Sequence, residues 1–510
     1  MLFAVIFANL FALPVFAQGK FPIGTWETWR HPGRIYQLEL GPRELYVAAE
    51  NGVWNWNRFE RRWSAPYTIV PSFLESFDLR GVRSIAVTND NRLIVGTTQG
   101  NYIREPVWFT WSKNGGDGEG SIKLDEKTRF TSPAPVDSTI NLSRYIMPFG
   151  WSYLPDKRVL SPDQRYYYLS GQLEDERGDV WFAVSGVGLL QGSRYNKSLL
   201  WNRLGLIENG VQAMAKTKKG WLLGGFSKGL SSFDESTQLW EWSEPEFTGM
   251  SATSGNIRSI APGNRDEFWM ATSQGAVYAT SLNTRSWRRV GMTEGLGSEN
   301  ALSIVIFGGN AIVGTDAGLD QISSNKKVRA IWRNPSEPVE VRDLVVSGNT
   351  LYGASNRGFF QMTHTDSTIV FLDGPEGIAS DDWYTVAATA NEVWLGGREG
   401  VAALDLTSGK WAVWHKYDLD NSYTLSIAPT DSIVWIGTSR GLFRLDRNAR
   451  GRERHDPMEL FAGRIHQYKP SDGLPHWTVY QIQLLGNQVA LATGAGFCRF
   501  KYYQEGRILE

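Results

Sequence analysis

Two pentapeptides, GFSKG at 225–229 and GTSRG at 437–441, fit Gly-x-Ser-x-Gly, the pattern that sets a nucleophilic serine on a strand-to-helix turn in acyl-transfer hydrolases. Ser227 and Ser439 sit in another context. Both occupy the turn of a recurring strand–turn–strand unit, and sister units carry Asp316, Arg398 or Thr98 at the same place. No catalytic nucleophile is expected from them. The histidines His31, His364, His415, His455, His466 and His476 form no i, i+4 pair and no tight cluster with carboxylates, so no metal site is expected. Asp117, Glu119 and Asp125 lie in an acidic, glycine-rich run without the ligand spacing of a calcium loop, and read as a solvated turn. A lone cysteine, Cys498, excludes an intrachain disulfide and a zinc site built on several thiolates. The sequence predicts no cofactor.

Composition narrows the class further. Among 510 residues, Lys+Arg (52) and Asp+Glu (53) balance to a net charge of −1, so no bulk basic field exists to hold nucleic acid. The 22 Trp and 53 Gly point to many short strands joined by tight turns. Residues 2–17, LFAVIFANLFALPVFA, form an apolar run ending in Val15-Phe16-Ala17, which reads as a secretory signal peptide over residues 1–17, although no Lys or Arg precedes it. No later stretch approaches the ~20 apolar residues that span a bilayer. The mature chain, 18–510, is expected in a bacterial periplasm or outside the cell.

The elements that must position any site are repeats. A short apolar strand, a Gly turn and a second apolar strand recur as LYVAAENGVW (45–54), VWFAVSGVGLL (180–190), VWLGGREGVA (393–402), VWIGTSRGLF (434–443) and six further copies. The closing glycines are Gly52, Gly100, Gly188, Gly229, Gly275, Gly318, Gly358, Gly400, Gly441 and Gly496, mostly 40–48 residues apart. That period belongs to a four-stranded propeller blade. Strands FFQMTHT, STIVFLDG, DDWYTVAATA and EVWLGG fill one unit. The Trp or Leu just before each turn is read as packing between blades.

The expected fold is therefore an all-β propeller of ten blades, or eleven if the divergent stretch at about 104–165 folds as a blade instead of an insertion. The chain stops after RFKYYQEGRILE without an outer strand, while TWETWRH (25–31) supplies one, so the N-terminal strand should complete the last blade and remove an open edge. Ten blades exceed the usual four to eight, which leaves one large ring or two rings, with two favoured.

A second half-motif precedes the inner strands: GLIENGVQAM (205–214), GLGSENALSI (295–304), GIASDDWYTV (377–386) and GLPHWTVYQI (473–482). Together with VWIGTSRGLF it resembles the two-component regulator propeller repeat, over about residues 20–503. The resemblance implies a periplasmic sensing propeller. With no kinase or receiver segment following, it implies ligand or partner binding by a solo module.

In such blades the turns between the second and third strands and the loops entering each inner strand emerge on one face. That face should carry Lys228, Arg357, Arg398 and Arg440 on turns, with Asn209, Glu299, Asp381, Asp382, Trp383, His476 and Trp477 on loops. Arg supplies bidentate contacts to carboxylate, sulfate or phosphate, and Trp a stacking face. The candidate binding set is Arg357, Arg398, Arg440, Lys228, Trp383, His476 and Trp477, and the expected function is non-catalytic recognition or scaffolding, with a saccharide, peptide or protein partner; an anionic glycan or peptide would suit such a rim. The competing expectation is a propeller-fold glycoside hydrolase or lyase. Its paired carboxylates would come from Asp381, Asp382, Glu299 and Asp316.

Overall fold

The computed structural model describes residues 25–72, 76–106, 111–114, 141–162, 164–243, 256–281, 287–334, 336–363, 368–376, 378, 382–447 and 465–502. The leader at 2–17, Asp117, Glu119, Asp125, His364, Asp381 and His455 lie outside the described residues. No helix among the described residues is long and apolar enough to cross a membrane.

The chain folds into four-stranded antiparallel blades, numbered here in order of their inner strands: blade 1 (35–63), blade 2 (82–114), blade 3 (166–203), blade 4 (213–243), blade 5 (257–290), blade 6 (301–332), blade 7 (341–372), blade 8 (383–415), blade 9 (424–468) and blade 10 (479–501). Blade 10 takes its outer strand from Thr25–Trp29, which pairs residue for residue with Phe497–Lys501. The expectation of an N-terminal closing strand therefore holds.

All ten closing glycines have positive φ. At Gly400 (φ +141°) the reason is twofold, because an added Cβ would also lie 2.0 Å from the carbonyl oxygen of Trp414 on the outer strand. In six blades a hydroxyl three residues earlier braces the turn. Thr97, Thr272, Thr315, Ser355, Thr438 and Thr493 each donate to the carbonyl of the closing glycine and accept a backbone N–H between them. The glycine of the second half-motif is a left-handed residue too, at Gly205, Gly295 and Gly473. The leucine after it (Leu206, Leu296, Leu474) plugs the seam between blades.

The apolar core is divided into seams, each shared by two blades. Seven seams join blades 4 to 5, 5 to 6, 6 to 7, 7 to 8, 8 to 9, 9 to 10, and 10 back to 4. Seven seams for seven blades is a closed ring. Among the described residues, blades 1, 2 and 3 share two seams, 1 to 2 and 1 to 3, and form an arc whose blade 3 is joined edge to edge to blade 4 where Arg203 pairs with Trp240. Of the two alternatives, one large ring is ruled out: a seven-bladed ring closed by the N-terminal strand stands beside a three-bladed arc. The repeat period is the same in both parts, so spacing alone could not separate them. Of the divergent stretch, Trp111–Asn114 forms the outer strand of blade 2, while Arg158–Leu160 pairs with Tyr166–Tyr168 and Ser152–Tyr153 pairs in turn with Val159 and Leu160, extending the blade 3 sheet.

Ring and arc meet where the chain crosses between them. Arg30, directly after the closing strand, is 1% exposed and bonds both carboxylate oxygens of Asp78 and the carbonyl of Ala495. The return crossing is tied by Leu206 N–H to the Arg30 carbonyl and by Trp242 Nε1 to the Gly205 carbonyl.

The turn geometry separates two classes of glycine. Gly400→Ala should cost about 3 kcal/mol or more, from a blocked φ and a backbone clash. Gly409→Ala, at φ +69° with nothing within 4 Å of its added Cβ, should cost about 1 kcal/mol. Denaturant unfolding of both variants checks the difference, and equal losses would contradict the clash.

Candidate functional site

The turn-and-loop face of the ring holds the residues expected there, in three different states. Arg398 and Arg440 are exposed. The nearest acid to the Arg398 guanidinium is Glu399 at 3.9 Å, and Glu399 is already held at 2.9 Å by Lys416. The Arg440 side chain has no ion pair among the described residues. Lys228 is likewise exposed; only its backbone N–H, with the N–H and hydroxyl of Ser227, is bound to Glu208. Arg357, by contrast, is paired with Glu337. Trp477 is 44% exposed and its carbonyl accepts from Gly441 N–H, which joins the blade 9 turn to the blade 10 loop.

Trp383 is a correction. It is 2% exposed within the seam of blades 7 and 8, so its ring cannot face a ligand. The first residue of an inner strand points into the seam, and the large indole fills it. His476 is half-buried, its Nδ1 accepting from Thr478 N–H and its pKa lowered by burial. Asn209 bonds His31 N–H across the ring–arc junction. There His31 stacks on Trp242, and burial, with the charge of Lys228, lowers its pKa to about 4.

Sequence reasoning missed the residues that ring the axis. Nearly every inner strand begins with a bulge, and the extra residue is Arg258, Leu302, Arg342, Tyr384, Leu425 or Tyr480 in blades 5 to 10. A bulge re-aims the side chain it carries. Around half the ring these residues latch one blade to the next. Gln212 at the start of blade 4 donates to Asn256 at 2.9 Å, Arg258 to Asn300, and Arg342 to Asp382 while also holding Glu340. Arg342 lies over the Tyr384 ring at 4.9 Å, and Tyr480 meets Phe226 of blade 4 edge-on at 5.2 Å. Each bulge residue stands immediately before the Ser-Ile, Asp-Leu, Thr-Val or Gln-Ile pair of its inner strand.

The nominated carboxylates among the described residues are each held by a neighbouring side chain. Glu299 is engaged with Arg289, Asp316 with Asn300, and Asp382 with Arg342. Ser227 and Ser439 lie on strand–turn–strand hairpins, and the Ser439 hydroxyl accepts from Tyr423 N–H. A second polar belt runs deeper. Side chains on one inner strand accept the free edge N–H of the next: Gln481 from Met214, Ser259 from Ile304, Asp343 from Val386, and Gln37 from Ile85 in the arc.

No family profile and no curated protein matches the chain. Solved structures similar to it include the extracellular domain of BT4673 from B. thetaiotaomicron, at 15% identity over 93% of this chain and 77% of that one, TM-score 0.47. Another is the extracellular domain of BT3049 from the same organism, at 13% identity over 92% and 68%, TM-score 0.46. A third is PorZ, a surface component of the type-IX secretion system of Porphyromonas gingivalis, at 12% identity over 92% and 74%, TM-score 0.48. The first is ascribed to a one-component system and the second to a hybrid two-component system.

Asp343 is the one member of the deeper belt that can carry charge. Its carboxylate accepts from Val386 N–H, the Thr385 hydroxyl and Leu344 N–H, yet burial outweighs these bonds and raises its pKa to about 6. A carboxyl with a raised folded pKa contributes stability that is full below its unfolded value and lost as pH rises through about 6. Asp343→Asn keeps an acceptor for Val386 and removes the charge. Its stability relative to the parent should rise by about 1–3 kcal/mol between pH 4 and pH 7.5. Urea unfolding at both pH values measures this, and a pH-independent difference would show that the carboxyl is not strained.

Proposed function

We propose that the chain is an exported, non-catalytic recognition module that binds an anionic glycan chain along the turn-and-loop face of its ring. One observation carries the reading: a path of cations without tight acid partners, plus an exposed indole, crosses four consecutive blades. It runs from Arg398 on blade 8 to Arg440 on blade 9, Trp477 on blade 10, and Lys228 on blade 4. The links between neighbours support its continuity, from Gly441 N–H to Trp477 and from Tyr480 to Phe226.

The chemistry suits an extended polyanion. Guanidinium groups grip carboxylates or sulfates in bidentate fashion, an indole offers a flat face to a sugar ring, and neither needs a catalytic pair. Arg357, already neutralised by Glu337, belongs to the edge of this path instead of its centre. Export rests on the apolar leader read at residues 2–17.

The test is a thermal-shift screen of the full chain against uronic, sulfated and neutral polysaccharides. An anionic glycan should raise Tm, and Arg398→Ala with Arg440→Ala should abolish most of the shift, whereas Arg357→Ala should keep it. A shift undiminished in the double variant would remove the site, and no shift with any anionic glycan would remove the ligand class.

A further inference from the structure

The arc places two arginines on one phenol. In blades 1 and 2 the extra residues at the inner-strand bulges are Tyr36 and Arg83. They are neighbours: the Arg83 guanidinium donates to the Tyr36 hydroxyl and lies over the Tyr36 ring at 4.7 Å. Arg34, in the loop that enters blade 1, lies over the same ring at 5.3 Å. Arg34 and Arg83 are both exposed.

Their charge is not met as it is at the ring's bulges. There Arg342 holds Glu340 and Asp382, and Arg258 donates to Asn300, which is itself bonded to Asp316. Arg34 and Arg83 have no ion pair among the described residues. Of the acids on the adjoining loop and hairpin, Asp78 is shared by Arg30 and Arg80. A carboxylate oxygen of Glu50 accepts the Arg34 backbone N–H at 3.3 Å, not its guanidinium. Four arginines thus stand against two acids in this corner of the arc, and the pair on Tyr36 keeps its charge.

Two like charges drawn to one ring repel each other, and an anion set between them relieves the repulsion. Contact with the phenol also holds each planar fork in place, so less freedom is lost when it grips a ligand. A carboxylate has two oxygens, which one fork saturates; a sulfate or phosphate ester offers three, enough for both. We propose that Arg34 and Arg83 together bind the sulfate or phosphate ester group of a ligand on the arc, with Tyr36 setting their positions. The site is separate from the cation path of the ring, which runs over blades 8, 9, 10 and 4.

The experiment is calorimetric titration of the full chain with glucose 6-sulfate, glucose 6-phosphate and glucose, at one ionic strength set with chloride. One or both esters should bind saturably and glucose should not; the ester that binds identifies the source of the group. Arg34→Gln with Arg83→Gln should weaken that binding about tenfold or more. Both positions are exposed, so the Tm of this variant without ligand should match the parent. Arg398→Ala with Arg440→Ala, on the ring, should leave the ester affinity unchanged, which separates this site from the glycan path. Failure of both esters to bind overturns the proposal. So does binding that survives in the Arg34/Arg83 variant, or that is lost in the ring variant instead.

Discussion

The pairing of Thr25–Trp29 with the strand Gly496–Lys501 is the contact on which the ring depends. It supplies the outer strand of blade 10 and places Trp29 in the seam with blade 4, beside Phe233 and Phe497. Trp26 stacks on Phe500 with 4.0 Å between centroids. Arg499 then ties Glu27 of the closing strand to Glu235 of blade 4. Without that strand, blade 10 would end in a row of unpaired backbone groups and its seam with blade 4 would lack an indole. The next residue, Arg30, extends the same closure into the arc. One run of six residues thus fixes both the ring and its attachment.

The same repeat supports two kinds of polar residue on the ring face. Those at the bulges and in the deeper belt are consumed by the fold: Gln212, Arg258 and Arg342 latch one blade to the next, and Gln481, Ser259 and Asp343 satisfy edge N–H groups. Such pairing removes the desolvation penalty of an unmet donor. Those on the hairpin tips are free of that duty in blades 4, 8 and 9. At these tips the structural links have lapsed, which is why neighbouring arginines differ so much in availability.

Much of the fold was legible because backbone geometry imposes it directly. A hairpin that approaches its outer strand within 2.0 Å of a would-be Cβ at Gly400 tolerates one residue type, so the glycines announce every blade. Ring membership was hidden, since it depends on which faces meet, and blades 1 to 3 carry the same turn signature as blades 4 to 10. Trp383 was misplaced for a related reason. Its position at a loop end suggests exposure, but burial is decided by the facing blade. The bracing hydroxyls were visible as the Thr or Ser three residues before the glycine. The bulge residues were not, because one extra residue in an inner strand leaves the overall period almost unchanged.

Closure by a strand lying 472 residues from its partner in sequence has a kinetic side. At synthesis rates of about 5–20 residues per second, the first-made strand waits roughly 25–95 s for the segment it must pair with. During that interval Trp26 and Trp29 have no seam to enter. The contact order of this single pairing is among the highest a chain of this length permits, and loop-closure entropy makes such pairings slow. Seams between consecutive blades can form as they emerge, whereas the last seam forms only by capture of a strand held in reserve. The ring therefore completes itself only once the strand Gly496–Lys501 has been made.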